Sequence, residues 1–360
     1  MLKVVILGEN GSVHIQKWVK AISEFEEIEL HVISFDRGVK FDKVTYHPLK
    51  IYFNNKLDFF LNTRTVRKYL SLINPDLIHA HYATSYGYLG ARANFHPFVI
   101  TGWGADIFDS PKNVLMKQLL ISSFKKSDAV TVLSKITKTE ISKLTNKNVT
   151  LIPFGVDIEK FKKRDLAKDN FIRIATVRTL SEKYGVEFLI RAFSIVCKRH
   201  DNIKLEIVGD GPLRSFLESL AKELGVFDKV TFHGYVNQNA DFEKYINLMS
   251  SFDVFAILSI LDSETFGVAA VEASSCSLPI IATDVGGLPE VVQNNETGFL
   301  VPPKDFIATA NALEKLILDE SLRIKMGLQG RLKVENEYFW KNNVNKMVNL
   351  YKDISGYNNI

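Results

Sequence analysis

Residues 253–282 read DVFAILSILDSETFGVAAVEASSCSLPIIA, and this stretch decides the fold of the second half of the chain. The apolar runs Asp253–Leu258 and Pro279–Ala282 have the length and composition of buried strands. Between them, after the loop Ser259–Ser263, the segment Phe266–Ser275 is predicted to be helical. A strand, a helix and a second strand in this order predict a βαβ unit with two parallel strands.

The same alternation of short apolar runs and longer helical patterns extends over the whole chain. In the first half the predicted strands are Lys3–Leu7, Glu29–Ser34, Asp76–Ala80, Phe98–Thr101, Ala129–Leu133 and Val149–Ile152. In the second half they are Phe171–Val177, Lys204–Val208, Lys229–Phe232, Asp253–Leu258, Pro279–Ala282 and Gly298–Val301, with helices such as Val186–Arg199 and Pro212–Leu224 between them. Continuous apolar strands are typical of parallel sheets that are covered on both faces.

The length of 360 residues fits two domains, at roughly 150 residues per domain. We therefore predict the α/β fold class, with two doubly wound, Rossmann-like domains and an interdomain cleft in which ligands bind. The predicted N-terminal domain covers residues 1–155 and the predicted C-terminal domain residues 156–337. Pro153-Phe154-Gly155 and the charged stretch Glu159–Asp169 are predicted to be a linker. Residues 338–360 are predicted to be a C-terminal helix that crosses back to the N-terminal domain.

Composition excludes several classes of protein. Hydrophobic residues make up 46% of the chain and charged residues 24%, as in globular proteins and unlike disordered or collagen-like ones. No apolar run reaches the roughly 18 residues that span a bilayer, and the N-terminus lacks the pattern of a secretory signal. The cysteines, Cys197 and Cys276, lie in apolar segments. A disulfide framework and a cysteine zinc site are therefore excluded, and a cytoplasmic location is expected.

The net charge of +4 is unevenly distributed along the chain. Residues 1–150 carry 20 Lys and Arg against 13 Asp and Glu, whereas residues 151–360 carry 25 against 28. A basic first half indicates an anionic partner, such as a membrane surface, a phosphorylated lipid or a nucleic acid. A charged surface that only keeps the protein soluble explains the same numbers.

Glu264 and Glu272 form the strongest candidate site. Glu264 precedes the predicted helix Phe266–Ser275, and Glu272 lies just over two helical turns further on. The free N–H groups at a helix start attract phosphate, and Gly267 allows a ligand to approach the backbone closely. Carboxylates accept paired hydrogen bonds from vicinal hydroxyls, so this arrangement suits a sugar nucleotide. The alternative makes Glu264 a capping acid and Glu272 an exposed helix residue.

Two further clusters follow predicted strands of the second half. Arg178 and Lys183 come after the strand Phe171–Val177 and before a helix, where they are placed to clamp a diphosphate. Gly209 and Gly211 lie at the carboxyl end of the next strand, where ligands of α/β sheets bind. Two solvated cations and a simple tight turn are the alternative interpretations.

Polar and aromatic residues also follow the predicted strands of the first half. Gly11 belongs to a glycine-containing turn after the first strand, His14 follows it, and His81 ends a later strand. Trp103 and Asp106 come after another strand. The turn resembles half of a dinucleotide fingerprint but lacks the third glycine and the acidic residue that NAD binding requires. The histidines lack the spacing and the cysteine partners of a metal site, and a structural role is the alternative for each of them.

Together these motifs resemble the retaining glycosyltransferases of family 4, which have the GT-B fold. The resemblance covers nearly the whole chain, through VVILGENGSVHIQKWV, IHAHYATSYG, ITGWGADIF, LIPFGVDIEKF, TVRTLSEKYGVEFLIRAF, LEIVGDGPLR, VTFHGYV and ETFGVAAVEASSCSLPIIATDVGGLPEVVQNNETGFLVPP. The spacing of Glu264 and Glu272, with GDGPLR and GGLPE, makes it specific.

The resemblance implies a role for each candidate residue. Glu264 would contact the hydroxyls of the donor sugar and Glu272 the ribose of the nucleotide, while Arg178 and Lys183 would bind the diphosphate. Glu264, Arg178 and Lys183 are accordingly the predicted catalytic residues. The predicted donor-binding residues are Gly209, Gly211, Tyr235, Val236, Phe266, Gly267, Val268 and Glu272. The predicted acceptor-binding residues are Gly11, His14, His81, Trp103 and Asp106.

Two positions depart from the family pattern. Many members have His-Gly-x-Asp where this chain has Trp103-Gly104-Ala105-Asp106, and Trp103 cannot act as an acid or a base. Many also have Lys-Gly where this chain has Lys183-Tyr184-Gly185. The second departure leaves the role of Lys183 intact but changes the expected shape of the loop.

The expected reaction transfers a sugar from a nucleoside diphosphate sugar, with UDP as the default, to a hydroxyl of a saccharide or lipid-linked acceptor. By the resemblance it proceeds with retention and serves cell-envelope polysaccharide or glycan synthesis. No carboxylate suits a covalent nucleophile, so we expect front-face substitution in which two cations neutralise the leaving group, without a metal or cofactor. The alternatives are a nucleotide-sugar epimerase of the same fold and an NAD-dependent oxidoreductase. No nucleic acid partner is expected.

Two segments of the first half combine cations with large apolar side chains, namely Tyr52–Leu72 and Lys112–Lys126. Basic amphipathic helices of this composition can lie on anionic membranes. We therefore predict peripheral contact with the cytoplasmic face of the plasma membrane. Apolar helix faces packed on the sheet, with solvated lysines, are the alternative.

Overall fold

Two parallel β-sheets organise the chain in the computed structural model, which describes residues 1–35, 38–166, 169–238 and 240–357. The chain divides into two units, Met1–Pro153 with Asn342–Ile360 and Phe154–Lys341. Parts of the predicted linker Glu159–Asp169 and of the predicted segment 338–360 lie outside the described residues. Within those residues, no helix combines the length and the hydropathy that a membrane crossing requires.

The strands are β1 (Leu2–Leu7), β2 (Ile28–Ser34), β3 (Val44–Pro48), β4 (Leu77–His81), β5 (Phe98–Gly102), β6 (Ala129–Val132), β7 (Val149–Leu151), β8 (Ile172–Val177), β9 (Ile203–Val208), β10 (Val230–Gly234), β11 (Val254–Ile257), β12 (Ile280–Thr283) and β13 (Gly298–Val301).

The helices are α1 (Val13–Ser23), α2 (Leu57–Leu61), α3 (Thr63–Ile73), α4 (Gly87–Ala93), α5 (Ala105–Phe108), α6 (Val114–Lys126), α7 (Lys135–Ser142), α8 (Val186–Val196), α9 (Arg214–Glu223), α10 (Phe242–Ser251), α11 (Val268–Ser275), α12 (Leu288–Val291), α13 (Phe306–Leu318), α14 (Glu320–Glu337) and α15 (Trp340–Ser355).

The first unit is built on a parallel sheet with the strand order β3-β2-β1-β4-β5-β6-β7. The inner strands β1 and β4 are buried almost throughout, as expected for strands covered on both faces. The winding direction changes between β1 and β4, and ligands of doubly wound sheets bind beyond the carboxyl ends of strands at such a switch point. The turn that contains Gly11 follows β1, and His81 is the last residue of β4.

The second unit repeats this plan with the strand order β10-β9-β8-β11-β12-β13. All its strand pairs are parallel, and its switch point lies between β8 and β11. Arg178 follows β8 directly, and Ser259 comes two residues after β11. The predicted α/β class with two doubly wound, Rossmann-like units is confirmed.

Sequence patterns located every described strand except β3, including the edge strands β7, β10 and β13. Each predicted strand agrees with an observed one to within two residues at each end. Strand β3 was not predicted. It lies at the edge of the first sheet, and its sequence Val-Thr-Tyr-His-Pro is mostly half-buried or exposed. β3 buries little apolar surface and lacks the continuous apolar run by which the other strands were recognised.

The helix after β11 starts later than predicted. Phe266 was expected to open it, but α11 begins at Val268, with Gly267 as its N-cap in the left-handed region at φ +75°. A Cβ atom at Gly267 would also lie 2.6 Å from the Leu288 side chain. The position therefore requires glycine for its backbone conformation and for its packing.

Helix α15 supplies the last described segment of the chain. From Asn342 onward its residues group with the first unit. The Tyr351 hydroxyl lies 2.5 Å from Nδ1 of His79 in β4, and the Lys352 ammonium donates to Glu27 at 2.9 Å. His79 is fully buried, and desolvation holds the pKa of its imidazole well below the usual value.

Candidate active site

Loops that follow β8, β9 and β11 come together in the second unit. Leu180 donates its backbone N–H to the Asp210 carbonyl at 3.0 Å, and Ile260 donates to the Lys183 carbonyl at 2.9 Å. Two of the glycines predicted to bind the donor make the first of these approaches possible. A Cβ at Gly209, where φ is +134°, would lie 1.8 Å from the Arg178 carbonyl oxygen.

Arg178, Ser259 and Glu264 form a buried polar network at this edge of the sheet. The Arg178 guanidinium pairs with the Glu264 carboxylate and also donates to the Ser259 hydroxyl at 2.9 Å. Ser259 in turn donates to the same oxygen of Glu264 at 2.9 Å. Both charged side chains are only 11% exposed, so water screens the pair weakly. The network brings together two of the predicted catalytic residues.

Arg178 has a further donor that the protein leaves without an acceptor. Its Nε is buried, and none of the described residues accepts a hydrogen bond from it. A buried charged donor without a partner is costly unless a ligand or water supplies an oxygen. The guanidinium can therefore hold Glu264 and an additional anion at the same time.

The loop between β8 and α8 places Lys183 beside this network. The Lys183 ammonium donates to the Ser263 carbonyl at 3.2 Å, one residue before Glu264. The ring of Tyr184 lies under both cations, 4.5 Å from the Arg178 guanidinium carbon and 5.5 Å from the Lys183 ammonium. Sequence reasoning noted Tyr184 only as a departure in loop shape. The sequence places Tyr184 beside Lys183, whereas its contact with Arg178 arises from the fold.

Glu272 is buried, contrary to the alternative that exposed it. Its Oε2 accepts hydrogen bonds from the Tyr245 hydroxyl at 2.7 Å and from the Gln238 amide at 3.1 Å. Burial and the adjacent Glu272 carboxylate raise the pKa of Tyr245 well above its usual value, so the phenol stays protonated and donates. Neither Tyr245 nor Gln238 was identified from the sequence, because neither belongs to a glycine-rich or charged motif.

The start of α11 lies between Glu264 and Glu272 in the sequence. The first N–H groups of a helix have no helical partner and carry the positive end of its dipole. Phe266 and Val268 flank the Gly267 cap at this end. The remaining predicted donor residues, Tyr235 and Val236, follow β10, and Tyr235 is 70% exposed.

Aromatic rings stack around Trp103 in the first unit. The indole ring lies parallel to Tyr82, with ring centres 5.5 Å apart, and stacks on His14 at 5.9 Å. Trp103 Nε1–H donates to Nδ1 of His81 at 3.2 Å. The neutral His81 ring therefore carries its proton on Nε2, which is buried and has no partner among the described residues. Burial lowers the pKa of His81 to about 3, and burial together with Lys17 lowers the pKa of His14 to about 4.

Asp106 is buried, and backbone groups occupy its carboxylate. The N–H groups of Ala83, Trp103 and Gly104 donate to it at 2.8–3.0 Å. Desolvation raises the pKa of Asp106 although these hydrogen bonds oppose the shift. The carboxylate thus shapes the loop that carries Trp103, whereas Gly11 is exposed on the turn after β1.

The predicted donor-binding region combines positive charge with hydrogen-bond acceptors. Two cations and the start of α11 supply positive charge, and two buried carboxylates supply hydrogen-bond acceptors. Within the described part of the chain, no three His, Cys, Asp or Glu side chains are grouped closely enough to hold a metal ion.

Fold and site together define a two-unit, doubly wound protein with a cluster of two cations and a buried carboxylate at a sheet switch point. Comparison with known families agrees: residues 157–333 match the family described as glycosyl transferases group 1, and residues 3–134 match the family described as glycosyl transferase 4-like. The chain belongs to the group 1 (family 4) glycosyltransferases, which have the GT-B fold.

Individual relatives span most of the chain. It is 30% identical over 302 residues to an uncharacterized glycosyltransferase of Methanocaldococcus jannaschii, covering 77% of this chain and 75% of the relative. It is 28% identical to the N-acetyl-alpha-D-glucosaminyl L-malate synthase of Bacillus anthracis, covering 78% and 75%. The crystal structure of Anabaena HepE in complex with UDP-glucose superposes with a TM-score of 0.80 at 19% identity, covering 98% of this chain and 100% of that one.

Proposed function

We propose that this chain transfers a sugar from a nucleoside diphosphate sugar to an acceptor hydroxyl, with retention at the anomeric carbon. The observation that carries the proposal is the cluster of Arg178, Glu264 and Lys183 at the switch point of the second sheet. A diphosphate and a sugar are adjacent parts of one donor molecule. The cluster offers cations to the first and a carboxylate to the second.

We propose UDP as the nucleotide of the donor. The support is the bound UDP-glucose of HepE, which shares the fold along its whole length. In this proposal the ribose hydroxyls donate to Glu272, which Tyr245 and Gln238 hold in place. The start of α11 and the glycine loop Gly209–Gly211 line the rest of the donor.

The proposed mechanism is a front-face substitution. The bond between the anomeric carbon and the diphosphate oxygen breaks, and the electron pair leaves with the diphosphate. The acceptor hydroxyl oxygen forms the new bond on the same face and gives its proton to the departing phosphate oxygen. Arg178 and Lys183 stabilise the charge that develops there, which is usually the largest catalytic contribution. No metal ion or cofactor takes part in this proposal.

The acceptor in this proposal is a saccharide or a lipid-linked saccharide, at an anionic membrane surface. Large apolar side chains are exposed just before and within α2, where Phe53 is 63% exposed and Tyr52, Leu57, Phe60 and Leu61 are 44–55% exposed. Exposed cations lie in the same segment, namely Lys50, Lys56, Arg64, Arg67 and Lys68. An apolar patch bordered by cations complements an anionic bilayer.

The loop that presents these side chains is held by buried polar groups. Tyr52 and Phe53 donate their backbone N–H groups to the Asp58 carboxylate at 3.1 and 3.0 Å. The Asn62 amide binds both the N–H and the C=O of Lys50, at 3.0 and 2.8 Å. These bonds hold the backbone of the loop, so the segment does not have to be ordered when it docks. Such preorganisation reduces the entropy lost on docking.

The second predicted segment divides between core and surface. Leu120 and Phe124 of α6 are buried in the first unit, while Val114 and Leu115 at its start are 77% and 64% exposed. The most exposed apolar side chains of α6 therefore lie in its first turn.

Flotation with vesicles tests the membrane part of the proposal. The protein should float with vesicles of phosphatidylcholine and phosphatidylglycerol, and less so in high salt, because salt screens exposed charges. Replacing Phe53 and Phe60 with Ser should abolish flotation, whereas the control Leu318→Ser, on the second unit and 70% exposed, should not change it. Equal recovery with neutral vesicles would contradict the role of the cations, and no flotation at all would overturn the membrane part of the proposal.

Nucleotide release tests the reaction itself. UDP should appear from UDP-sugars only when a hydroxyl acceptor is present, in a ratio of one UDP to one glycoside. A nucleotide-sugar epimerase would change the sugar without releasing UDP, and an oxidoreductase would need NAD. Either result would overturn the proposal. A panel of nucleotide sugars identifies the donor, because a ligand at 100 times its Kd stabilises the protein by about 2.7 kcal/mol.

A further inference from the structure

The ring of Tyr184 lies close to both cations of the candidate donor site. Its ring centre lies 4.5 Å from the guanidinium carbon of Arg178 and 5.5 Å from the ammonium of Lys183. Aromatic faces attract cations at these distances. One ring thus contacts both Arg178 and Lys183, the two side chains that are proposed to bind the diphosphate.

The backbone around Tyr184 fixes where its ring lies. Ile260 donates its N–H to the carbonyl of Lys183 at 2.9 Å, and Tyr184 donates to Ser181 at 3.1 Å. Gly185 adopts a φ of +62°, and a Cβ there would lie 2.1 Å from the Leu258 carbonyl oxygen. On one side of the tyrosine the loop is hydrogen-bonded to the segment after β11, and on the other side it packs closely against that segment. The ring therefore does not have to be ordered when a donor binds.

Two like charges near each other repel before any anion arrives. Glu264 neutralises one charge through its ion pair with Arg178, while Lys183 contacts a backbone carbonyl and the ring. The Arg178 Nε, buried and without a partner among the described residues, marks an acceptor position that the protein does not fill. Because the ring contacts both cations, the Arg178 Nε–H group and the Lys183 ammonium stay available to bind the same anion.

We propose that Tyr184 is a positioning residue for donor binding: its ring holds Arg178 and Lys183 as a preformed pair for the diphosphate of the donor. This inference rests on the proposed function of the cluster. The ring carries the effect and the hydroxyl does not, because cations bind the face of the π-system.

Three variants separate the ring from the hydroxyl and from general packing. Tyr184→Phe keeps the ring, and Tyr184→Leu removes it while leaving an apolar side chain of moderate size. Phe227→Leu is the matched control, since Lys222 lies 4.8 Å from that ring in the same unit, away from the site. Binding of UDP and UMP by calorimetry gives the readout that a loss of packing alone would not change.

Tyr184→Leu should weaken UDP binding about tenfold and raise the donor KM, while UMP binding changes much less. The preference for the diphosphate over the monophosphate should therefore shrink. Tyr184→Phe and Phe227→Leu should match the wild type in both ligands. Wild-type discrimination in Tyr184→Leu would overturn the inference, as would equal losses for UDP and UMP. A wild-type protein that binds no nucleoside diphosphate at all would instead refute the proposed function.

Discussion

Replacing Glu264 with Gln separates its structural role beside Arg178 from its proposed role in turnover. The carboxylate balances the buried charge of Arg178, and it is proposed to contact the donor sugar. Gln keeps the shape and one hydrogen-bond acceptor but removes the negative charge. The change should therefore lower stability and turnover without removing the diphosphate site.

The size of the stability loss follows from burial. Both side chains are 11% exposed, and breaking a buried pair costs about 3–5 kcal/mol when nothing replaces the partner. Because the Gln oxygen still accepts a hydrogen bond from Ser259 or Arg178, we expect a loss of about 2–3 kcal/mol. For a unit of this size that lowers the unfolding temperature by roughly 4–12 °C.

Calorimetry of the full chain with and without UDP measures both effects. The variant should unfold at a lower temperature, bind UDP at least as tightly as the wild type, and transfer sugar about a hundredfold more slowly. The control Glu314→Gln weakens the contacts of a partly exposed carboxylate with Arg199 and His200 in the same unit and should cost less than about 1 kcal/mol. A Glu264→Gln protein with wild-type stability and turnover would refute the reasoning.

Three further predictions concern Lys183, Glu272 and the buried histidines of the first unit. Lys183→Ala should lower kcat about a hundredfold or more, because the departing diphosphate loses a cation; EDTA should not affect the wild-type rate, and an EDTA-abolished rate restored by manganese would contradict the metal-free mechanism. Glu272→Ala should weaken UDP binding by about 1.5–3 kcal/mol for each ribose hydrogen bond lost, measured by calorimetry; unchanged affinity would remove it from the donor site. Because burial lowers the pKa of His81 to about 3 and of His14 to about 4, unfolding takes up protons below the unfolded-state value of about 6.5. The contribution of these two histidines to stability should thus be complete above pH 6.5 and fall by about 1.4 kcal/mol per pH unit and histidine from there down to about pH 4, in urea titrations; a His81→Gln protein with the wild-type pH slope would contradict this.

The sequence predicts the sheets because burial acts on every residue of an inner strand. β1 and β4 are buried almost throughout, whereas β3 is mostly half-buried or exposed, and among the described strands β3 is the one that was not predicted. The late start of α11 depends on Gly267, whose left-handed conformation is a property of the packed loop. The pattern of apolar residues does not predict that conformation.

The charged motif residues of the candidate site could be identified from the sequence, but the residues that hydrogen-bond to them could not. Arg178 directly follows β8 and Glu264 lies in the loop after β11, at the edge of the sheet where ligands of α/β sheets bind. Ser259 and Tyr245 are ordinary residues in the sequence and become partners of the carboxylates only through tertiary contacts. Tyr184 was visible only as an exception to a family pattern, and its role follows from distances to two cations.

Magnetic resonance of the transfer products tests the central claim most directly. Incubation of a UDP-α-sugar with an acceptor should give UDP and an α-glycoside in equal amounts, with the anomeric proton showing the α configuration from the first turnover. Arg178→Ala should form neither product at a comparable rate. A β-glycoside, or conversion of the sugar without UDP release, would contradict the account.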